Sequence, residues 1–215
     1  MEGSFSPDAF RQVAFESGAS GNKSIGAEAC SHKSIRSFQG STEYEPRMIL
    51  AVDVQYREPD ATVAGVLFAQ WNDAQPAARY ALVCDGIADY VPGEFYRREL
   101  PCIHRLIDAL GPVALSCIVI DGYVALGEEQ RPGLGAHLWQ SLDERIAVIG
   151  VAKSRFLGTP EQAELRRGDS QRPLFVSAAG LPLAQAREAI AAMAGAHRLP
   201  DLLKLVDRLA RGLES

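Results

Sequence analysis

The chain has 215 residues, of which 47% are hydrophobic, so it is long enough for one domain with a sizeable core. Its net charge of −5 at pH 7 argues against a globally basic surface for nucleic acid or anionic membranes. A nuclease is not excluded, because a metal ion can neutralise a clustered acidic site and phosphate contacts need only a local basic patch.

The cysteines and apolar runs indicate the compartment. Cys30, Cys84, Cys102 and Cys117 lack the spacing of metal ligands, and three of them lie in the apolar or helical surroundings typical of buried free thiols. No apolar run approaches the roughly 18–20 residues of a membrane span, and the N-terminus lacks the pattern of a signal peptide. We therefore predict a reducing, cytoplasmic compartment and no membrane partner.

Taken in order, the chain divides into a tail and a folded part. Residues 1–47 are rich in Gly, Ser and short polar residues, which predicts a low-complexity tail before a domain at 48–215. Strands are predicted at 49–56, 62–71, 79–87, 113–120, 146–151 and 174–178. Helices are predicted at 96–110, 134–142, 183–194 and 201–211. Three antiparallel strands followed by alternating helices and strands is the order of the ribonuclease H-like α/β fold, a mixed sheet flanked by helices.

Two of the apolar strands carry an aspartate. Asp53 lies inside the first strand, and Asp121 follows the fourth. Each has an ordinary explanation, because Asp53 could accept a backbone hydrogen bond and Asp121-Gly122 could be a turn. In the predicted fold, however, these strands are neighbours, and two close carboxylates are costly without a cation between them. Ligands that offer only oxygen suit Mg²⁺ or Mn²⁺.

Several short motifs resemble those of the endonuclease V family, in the same order and spacing. They are Tyr90-Val91-Pro92-Gly93, Arg98-Glu99-Leu100-Pro101, Val119-Ile120-Asp121-Gly122, Ile149-Gly150-Val151-Ala152-Lys153, and Arg198-Leu199-Pro200 before a helix that contains Asp207. The resemblance covers residues 49–212. It implies a metal-dependent nuclease that recognises deoxyinosine in DNA, or inosine in RNA, and cuts one nucleotide further along on the 3′ side.

The resemblance also assigns roles to single residues. Asp53, Glu99 and Asp121 match the acidic metal site for Mg²⁺, or Mn²⁺ in its place, while Lys153 and Asp207 match catalytic positions beside it. A wedge that enters the strand at the lesion, and two further nucleic-acid-binding positions, are matched by Tyr90, Val91, Pro92, Gly93, Gly122 and His137.

Composition alone predicts less for these residues. Glu99 would be an acid favoured in the first turn of a helix, Lys153 and Asp207 would be exposed charges, and 90–93 an ordinary turn. Five arginines are candidates for phosphate contacts or for solubilising charges: Arg97, Arg98, Arg155, Arg166 and Arg167.

The chain departs from the family after Asp121-Gly122. The family continues with His-Gly and then His-Pro-Arg, whereas this chain continues with Tyr123 and a loop, residues 123–132, that contains Glu128 and Glu129. Three interpretations follow: a monomeric deoxyinosine endonuclease of DNA repair, a nuclease for inosine-containing RNA or unusual DNA structures, or a non-catalytic nucleic-acid-binding relative. The four acids favour catalysis, because an unused carboxylate cluster destabilises its own fold.

Overall fold

The computed structural model describes residues 47–57, 59–85, 94 and 96–213. Strands within these ranges are β1 (Met48–Arg57), β2 (Asp60–Phe68), β3 (Ala78–Cys84), β4 (Leu115–Asp121), β5 (Ala125–Leu126), β6 (Arg131–Pro132), β7 (Ala147–Ala152), β8 (Glu164–Leu165) and β9 (Leu174–Ala179). Helices are α1 (Tyr96–Ala109), α2 (Leu134–Ser141), α3 (Leu183–Ala192) and α4 (Asp201–Ala210), with a 3₁₀ turn at Glu161–Ala163. The predicted tail, apart from Arg47, and the predicted wedge at Tyr90, Val91, Pro92 and Gly93 lie outside the described residues.

Seven of these strands form one mixed sheet in the order β3-β2-β1-β4-β7-β9-β8. β1, β2 and β3 are an antiparallel meander. β4 and β7 run parallel to β1, and β9 and β8 add antiparallel pairings beyond them. The predicted ribonuclease H-like order, with the first and fourth strands adjacent, is confirmed.

The predicted elements differ from the structure mainly at their ends and in the short pieces. β2 stops at Phe68, three residues early, because the Asp73 carboxylate accepts hydrogen bonds from the amides of Ala69 and Gln70 at 3.0 and 2.8 Å and so forms a turn. The predicted loop at 123–132 contains the hairpin β5–β6, and the stretch between the predicted strands at 146–151 and 174–178 contains β8. Strands of two residues are too short to show a periodic pattern.

Helices cover both faces of the sheet. Because side chains alternate along a strand, Ile49 and Ala51 of β1 pack with the core residues of α3 and α4, while Leu50 and Val52 pack with those of α1 and α2. The three described cysteines, Cys84, Cys102 and Cys117, are unpaired and buried, as predicted. No helix in the described ranges combines the length and apolar character that crossing a bilayer requires.

Candidate active site

Three parallel strands bring their carboxyl ends to one edge of the sheet. Asp53 lies in β1, Asp121 ends β4, and Lys153 directly follows β7. The residues two positions before them all pack in the core beneath α3 and α4: Ala51, Val119 and Val151. By the alternation of side chains, Asp53, Asp121 and Lys153 continue that same face. Ligand sites of open α/β sheets form at such carboxyl ends.

A third carboxylate reaches this edge from α4. Asp207 follows Val206, which is buried in the core against the sheet. One oxygen from each of Asp53, Asp121 and Asp207 lies within 4.8 Å of the other two. The predicted meeting of Asp53 and Asp121 is therefore confirmed, and Asp207 joins them. We call Asp53, Asp121, Asp207 and Lys153 the acidic edge.

Lys153 bridges two of the three carboxylates. Its Nζ lies 2.6 Å from Asp121 Oδ2 and 3.1 Å from Asp207 Oδ1. Partial burial pushes the pKa of Lys153 down, but the hydrogen bonds and charges of Asp121 and Asp207 outweigh it, so the pKa is raised overall. Lys153 is thus a cation held between the two carboxylates at the mouth of the site.

The negative charge of Asp53 is disfavoured by its surroundings. Burial raises the pKa of this carboxyl to about 6, the negative charges of Asp121 and Asp207 add to the rise, and Lys153 opposes it. Its Oδ1 accepts a hydrogen bond from the backbone N–H of Val54 at 3.0 Å. A carboxylate whose charge is penalised in this way is a site where a cation is stabilised.

Glu99 approaches the same edge from the opposite face of the sheet. It lies in the first turn of α1. The α1 residues Cys102 and Ile103 pack in the core that contains Leu50 and Val52. Only 7% of Glu99 is exposed, and burial, followed by the charges of Asp53 and Asp121, raises its pKa to about 8. Glu99 is therefore electrostatically coupled to the acidic edge, although the three-carboxylate group on the α4 face does not include it.

The donor set fits a small divalent cation. Carboxylate oxygens are the ligands that Mg²⁺ and Mn²⁺ prefer, and three of them converge here. A cavity of about 20 Å³ opens among Asp53, Asp121, Lys153 and Asp207, which is room for about one water-sized sphere. Both the chemistry and the space suit one small metal ion better than an organic cofactor.

The turn after Asp121 is held tightly against the sheet. Gly122 has φ 143°, a region that favours glycine, and its N–H donates to the carbonyl of Val151 at 3.3 Å. A Cβ on Gly150 of β7 would stand 2.6 Å from the Gly122 carbonyl oxygen and 2.7 Å from Ser177 Oγ. That Oγ in turn accepts the N–H of Val124 at 2.9 Å. Gly122 thus lies at the root of the hairpin, where the turn after β4 packs against β7 and β9.

Tyr123 links the hairpin to the segment that follows Lys153. Its hydroxyl donates to the Ser154 carbonyl at 2.8 Å and accepts the N–H of Phe156 at 3.1 Å. Tyr123, which stands where the family has histidine, therefore holds the loop at 123–132 against the segment at 154–156.

His137 lies away from the acidic edge, on α2. Its ring stacks on Tyr96 at the start of α1, with centroids 3.7 Å apart and 18° between the planes. Burial lowers the pKa of His137, which favours a neutral imidazole. The structure assigns it a contact between two helices, and a contact with nucleic acid stays a prediction for both His137 and Gly122.

The arginine candidates separate into different environments. Arg167 is buried, and its guanidinium donates to the carbonyls of Met193, Gly195 and His197 after α3. The prediction of a phosphate contact is wrong for Arg167, because its donors satisfy backbone carbonyls in the interior. Arg155 pairs with Glu164 at 3.2 Å.

Sequence reasoning missed Arg211, which contacts Asp207 from one turn further along α4. Its Nε lies 3.0 Å from Asp207 Oδ2. The signal was present, since an aspartate and an arginine four residues apart on a predicted helix are neighbours on its surface.

Comparison with known proteins points to one family. The family model described as Endonuclease V matches residues 31–174. An endonuclease V of Alkalilimnicola ehrlichii is 28% identical over 193 residues, which cover 80% of this chain and 83% of that protein. An endonuclease V of Azotobacter vinelandii is 29% identical over 184 residues, covering 76% and 81%.

Solved structures agree with these sequence matches. The endonuclease V of Streptomyces avermitilis has a TM-score of 0.61 to this chain at 27% identity and covers 79% of this chain and 82% of its own. The endonuclease V of Ciona intestinalis, in complex with a 24mer DNA containing an inosine followed by a ribo-adenosine, has a TM-score of 0.65 at 18% identity, covering 78% and 85%. At that identity the second likeness concerns the fold alone.

Proposed function

Because this chain belongs to the endonuclease V family, we propose that it is a metal-dependent endonuclease that hydrolyses DNA on the 3′ side of deoxyinosine. The observation that carries the proposal is the meeting of Asp53, Asp121 and Asp207 at the carboxyl ends of parallel strands, with Lys153 among them. Phosphodiester hydrolysis requires charge stabilisation around a phosphate, and this constellation supplies carboxylates for a cation together with a fixed ammonium group.

The roles divide between the two faces of the sheet. Asp53 and Asp121, with Glu99 from α1, would hold Mg²⁺ or Mn²⁺. When bound, such a cation supplies Lewis-acid polarisation of the phosphate and activates water. Lys153 would hold a phosphate oxygen, and Asp207 would orient the attacking water. Water would attack the phosphorus and the bond from phosphorus to the 3′ oxygen would break, which leaves 5′-phosphate and 3′-hydroxyl ends.

The substrate is inferred from the family and from the predicted wedge at residues 90–93. Membership of the endonuclease V family supports deoxyinosine as the lesion here and DNA repair as the setting, and the solved Ciona relative is in complex with DNA containing an inosine. Tyr90, Val91, Pro92 and Gly93 would act as the wedge, since an aromatic ring can stack where a flipped base has left.

The hairpin favours a second candidate, cleavage of inosine-containing RNA or of unusual DNA structures. Its tip carries Glu128 and Glu129, both exposed, where the family has a histidine motif. Two negative charges on a surface that faces phosphates alter how a strand is held. A purely nucleic-acid-binding role is less consistent with the retained acids, because a carboxylate cluster without a use costs stability.

The decisive experiment is cleavage of end-labelled oligonucleotides. Single- and double-stranded DNA with one deoxyinosine, and matched RNA with one inosine, are incubated with Mg²⁺, Mn²⁺ or EDTA. Wild type is compared with Asp53→Ala and with Asp108→Ala, which removes an exposed acid of α1 outside the site.

We expect a metal-dependent cut one nucleotide beyond deoxyinosine in wild type and Asp108→Ala, and its loss in Asp53→Ala. A cut confined to the RNA would establish the second candidate instead. Metal-dependent thermal stabilisation without cleavage of any substrate would indicate a binding protein. Size-exclusion chromatography would test the predicted monomer in the same preparation.

A further inference from the structure

Asp207 has a cationic partner that no motif of the sequence includes. Arg211 lies four residues further along the helix, and its guanidinium contacts both carboxylate oxygens: Nε is 3.0 Å from Oδ2 and Nη2 is 3.2 Å from Oδ1. Resting on the proposed nuclease function, we propose that Arg211 is a positioning residue that fixes the Asp207 carboxylate beside the metal ion, outside its ligand set.

The first support is the count of acceptor positions on Asp207. An ionised carboxylate has about four lone-pair sites. In Asp207, Oδ1 accepts from Lys153 Nζ at 3.1 Å and from Arg211 Nη2 at 3.2 Å, while Oδ2 lies 3.0 Å from Arg211 Nε in an ion-pair contact. Both lone-pair positions of Oδ1 are therefore occupied, and two cationic side chains already compensate the charge.

Asp53 offers the opposite environment. Within the described part of the chain, its only hydrogen-bond donor is the backbone N–H of Val54 at 3.0 Å, and it is penalised by burial and by neighbouring negative charge. A divalent cation is stabilised more by a carboxylate with free lone-pair positions and an uncompensated charge than by one that is already paired with cations. Asp53 is thus suited to direct ligation, whereas Asp207 is suited to hold a polar group, such as the attacking water, at Oδ2.

The second support is the way in which Arg211 itself is anchored. Arg211 closes α4, and its N–H donates to the Asp207 carbonyl at 3.1 Å. Its own carbonyl accepts a hydrogen bond from the guanidinium of Arg57 at the end of β1. The strand that carries Asp53 therefore holds the helix end that orients Asp207. A two-point contact of guanidinium and carboxylate adds directional specificity that a single ammonium contact does not provide.

Stability alone does not explain this arrangement. The Arg211 side chain is 51% exposed, and exposed ion pairs on a helix contribute little to the free energy of unfolding. Loss of Arg211 should therefore leave the melting temperature nearly unchanged. An effect on turnover would then report orientation of Asp207 rather than damage to the fold.

The test combines metal affinity, measured without nucleic acid, with steady-state kinetics. Mn²⁺ is titrated calorimetrically into wild type, Arg211→Ala, Arg211→Lys, Asp207→Ala and Asp53→Ala, and kcat and KM are measured with the deoxyinosine oligonucleotide. Arg145→Ala is the matched control, because Arg145 is an exposed arginine paired with Asp143 and its loss changes the net charge equally.

We expect Arg211→Ala to lower kcat by about 10–100-fold, the usual effect of losing a partner that orients an active-site group, with KM little changed. Its Mn²⁺ affinity and that of Asp207→Ala should stay near wild type, whereas Asp53→Ala should lose Mn²⁺ binding. Arg211→Lys should recover part of kcat, because lysine restores a positive charge beside the carboxylate but only a single-point contact.

Two results would overturn the proposal. One is an Arg211→Ala enzyme with the kcat of Arg145→Ala. The other is a loss of Mn²⁺ affinity in Asp207→Ala and Arg211→Ala comparable with that of Asp53→Ala, which would make Asp207 a direct ligand. If wild type binds Mn²⁺ but cuts no deoxyinosine, the proposed function fails, and the Mn²⁺ affinities still decide whether Asp207 lies outside the ligand set.

Discussion

The acidic edge and the hairpin beside it are held in different ways. Asp53 lies in β1 just beyond the last pairing of that strand with β4, Asp121 ends β4 and Lys153 follows β7, so the core of the sheet fixes their positions. The hairpin consists of two strands of two residues each, and its tip at Glu128 and Glu129 is exposed. The chemistry of the site is therefore tied to the fold, whereas the adjoining surface can change its composition without moving a carboxylate.

The largest effect is expected at Lys153, whose loss would test whether the three carboxylates of the acidic edge need the cation beside them. Lys153→Met removes the cation that contacts Asp121 and Asp207, and we expect kcat to fall by about 10²–10³-fold, as for other fixed charge-stabilising donors. Single-turnover cleavage at saturating Mn²⁺ measures the effect. Arg145→Met controls for net charge, and equal rates in both variants would remove Lys153 from the catalytic machinery.

The next effect concerns stability and pH on the opposite face. Without metal, the pKa of Glu99 is about 8 in the folded protein against a usual 4.5, so the folded state binds the proton more tightly. The resulting stability is fully present below pH 4.5 and is lost as the pH rises toward 8. We expect Glu99 to contribute a decline on the order of 5 kcal/mol over that interval.

Glu99→Gln should remove this part of the decline and leave only the smaller one from Asp53, whose pKa is about 6. Urea unfolding in EDTA at several pH values measures it, with Glu188→Gln, an exposed acid of α3, as the control. An unchanged slope in Glu99→Gln would show that the titrating group lies elsewhere.

A smaller effect is expected where the two regions are joined. Tyr123→Phe leaves the Ser154 carbonyl and the Phe156 N–H without the hydroxyl that bridges them, which should cost about 1 kcal/mol of stability. Calorimetric melting compared with Tyr80→Phe on β3 checks this loss. If the cleavage rate falls by more than this small loss of stability explains, the hairpin also positions Lys153. The separation of the two regions would then be incomplete.

The smallest effect is expected at the tip of the hairpin. Neutralising Glu128 and Glu129 together should lower KM for the oligonucleotide about 2–5-fold at low salt, because exposed like charges repel phosphates and salt screens them. The value of kcat should not change. KM measured between low and physiological salt decides this, with Glu144→Gln and Glu188→Gln combined as the charge-matched control. A change in kcat instead would show that the tip reaches the reacting phosphate.

The sequence predicted what depends on periodicity and on strand order. Apolar runs marked the main strands, and their order brought Asp53 beside Asp121. Side-chain alternation, read off the structure, separates Glu99 from Asp207 onto opposite faces, and a motif comparison does not provide that distinction. The burial of Arg167 was also beyond the sequence, because its carbonyl partners come from a segment about 30 residues away.

Gly150 determines how far this part of the chain can diverge over evolution. The hairpin could be lengthened, shortened or given a new charge, because Glu128 and Glu129 at its tip are exposed. Its root allows no such freedom, since even one methyl group on Gly150 would collide with the Gly122 carbonyl and with Ser177. In a mutational survey of cleavage, this buried glycine should therefore tolerate substitution as poorly as the carboxylates, although it has no side chain with which to touch a substrate.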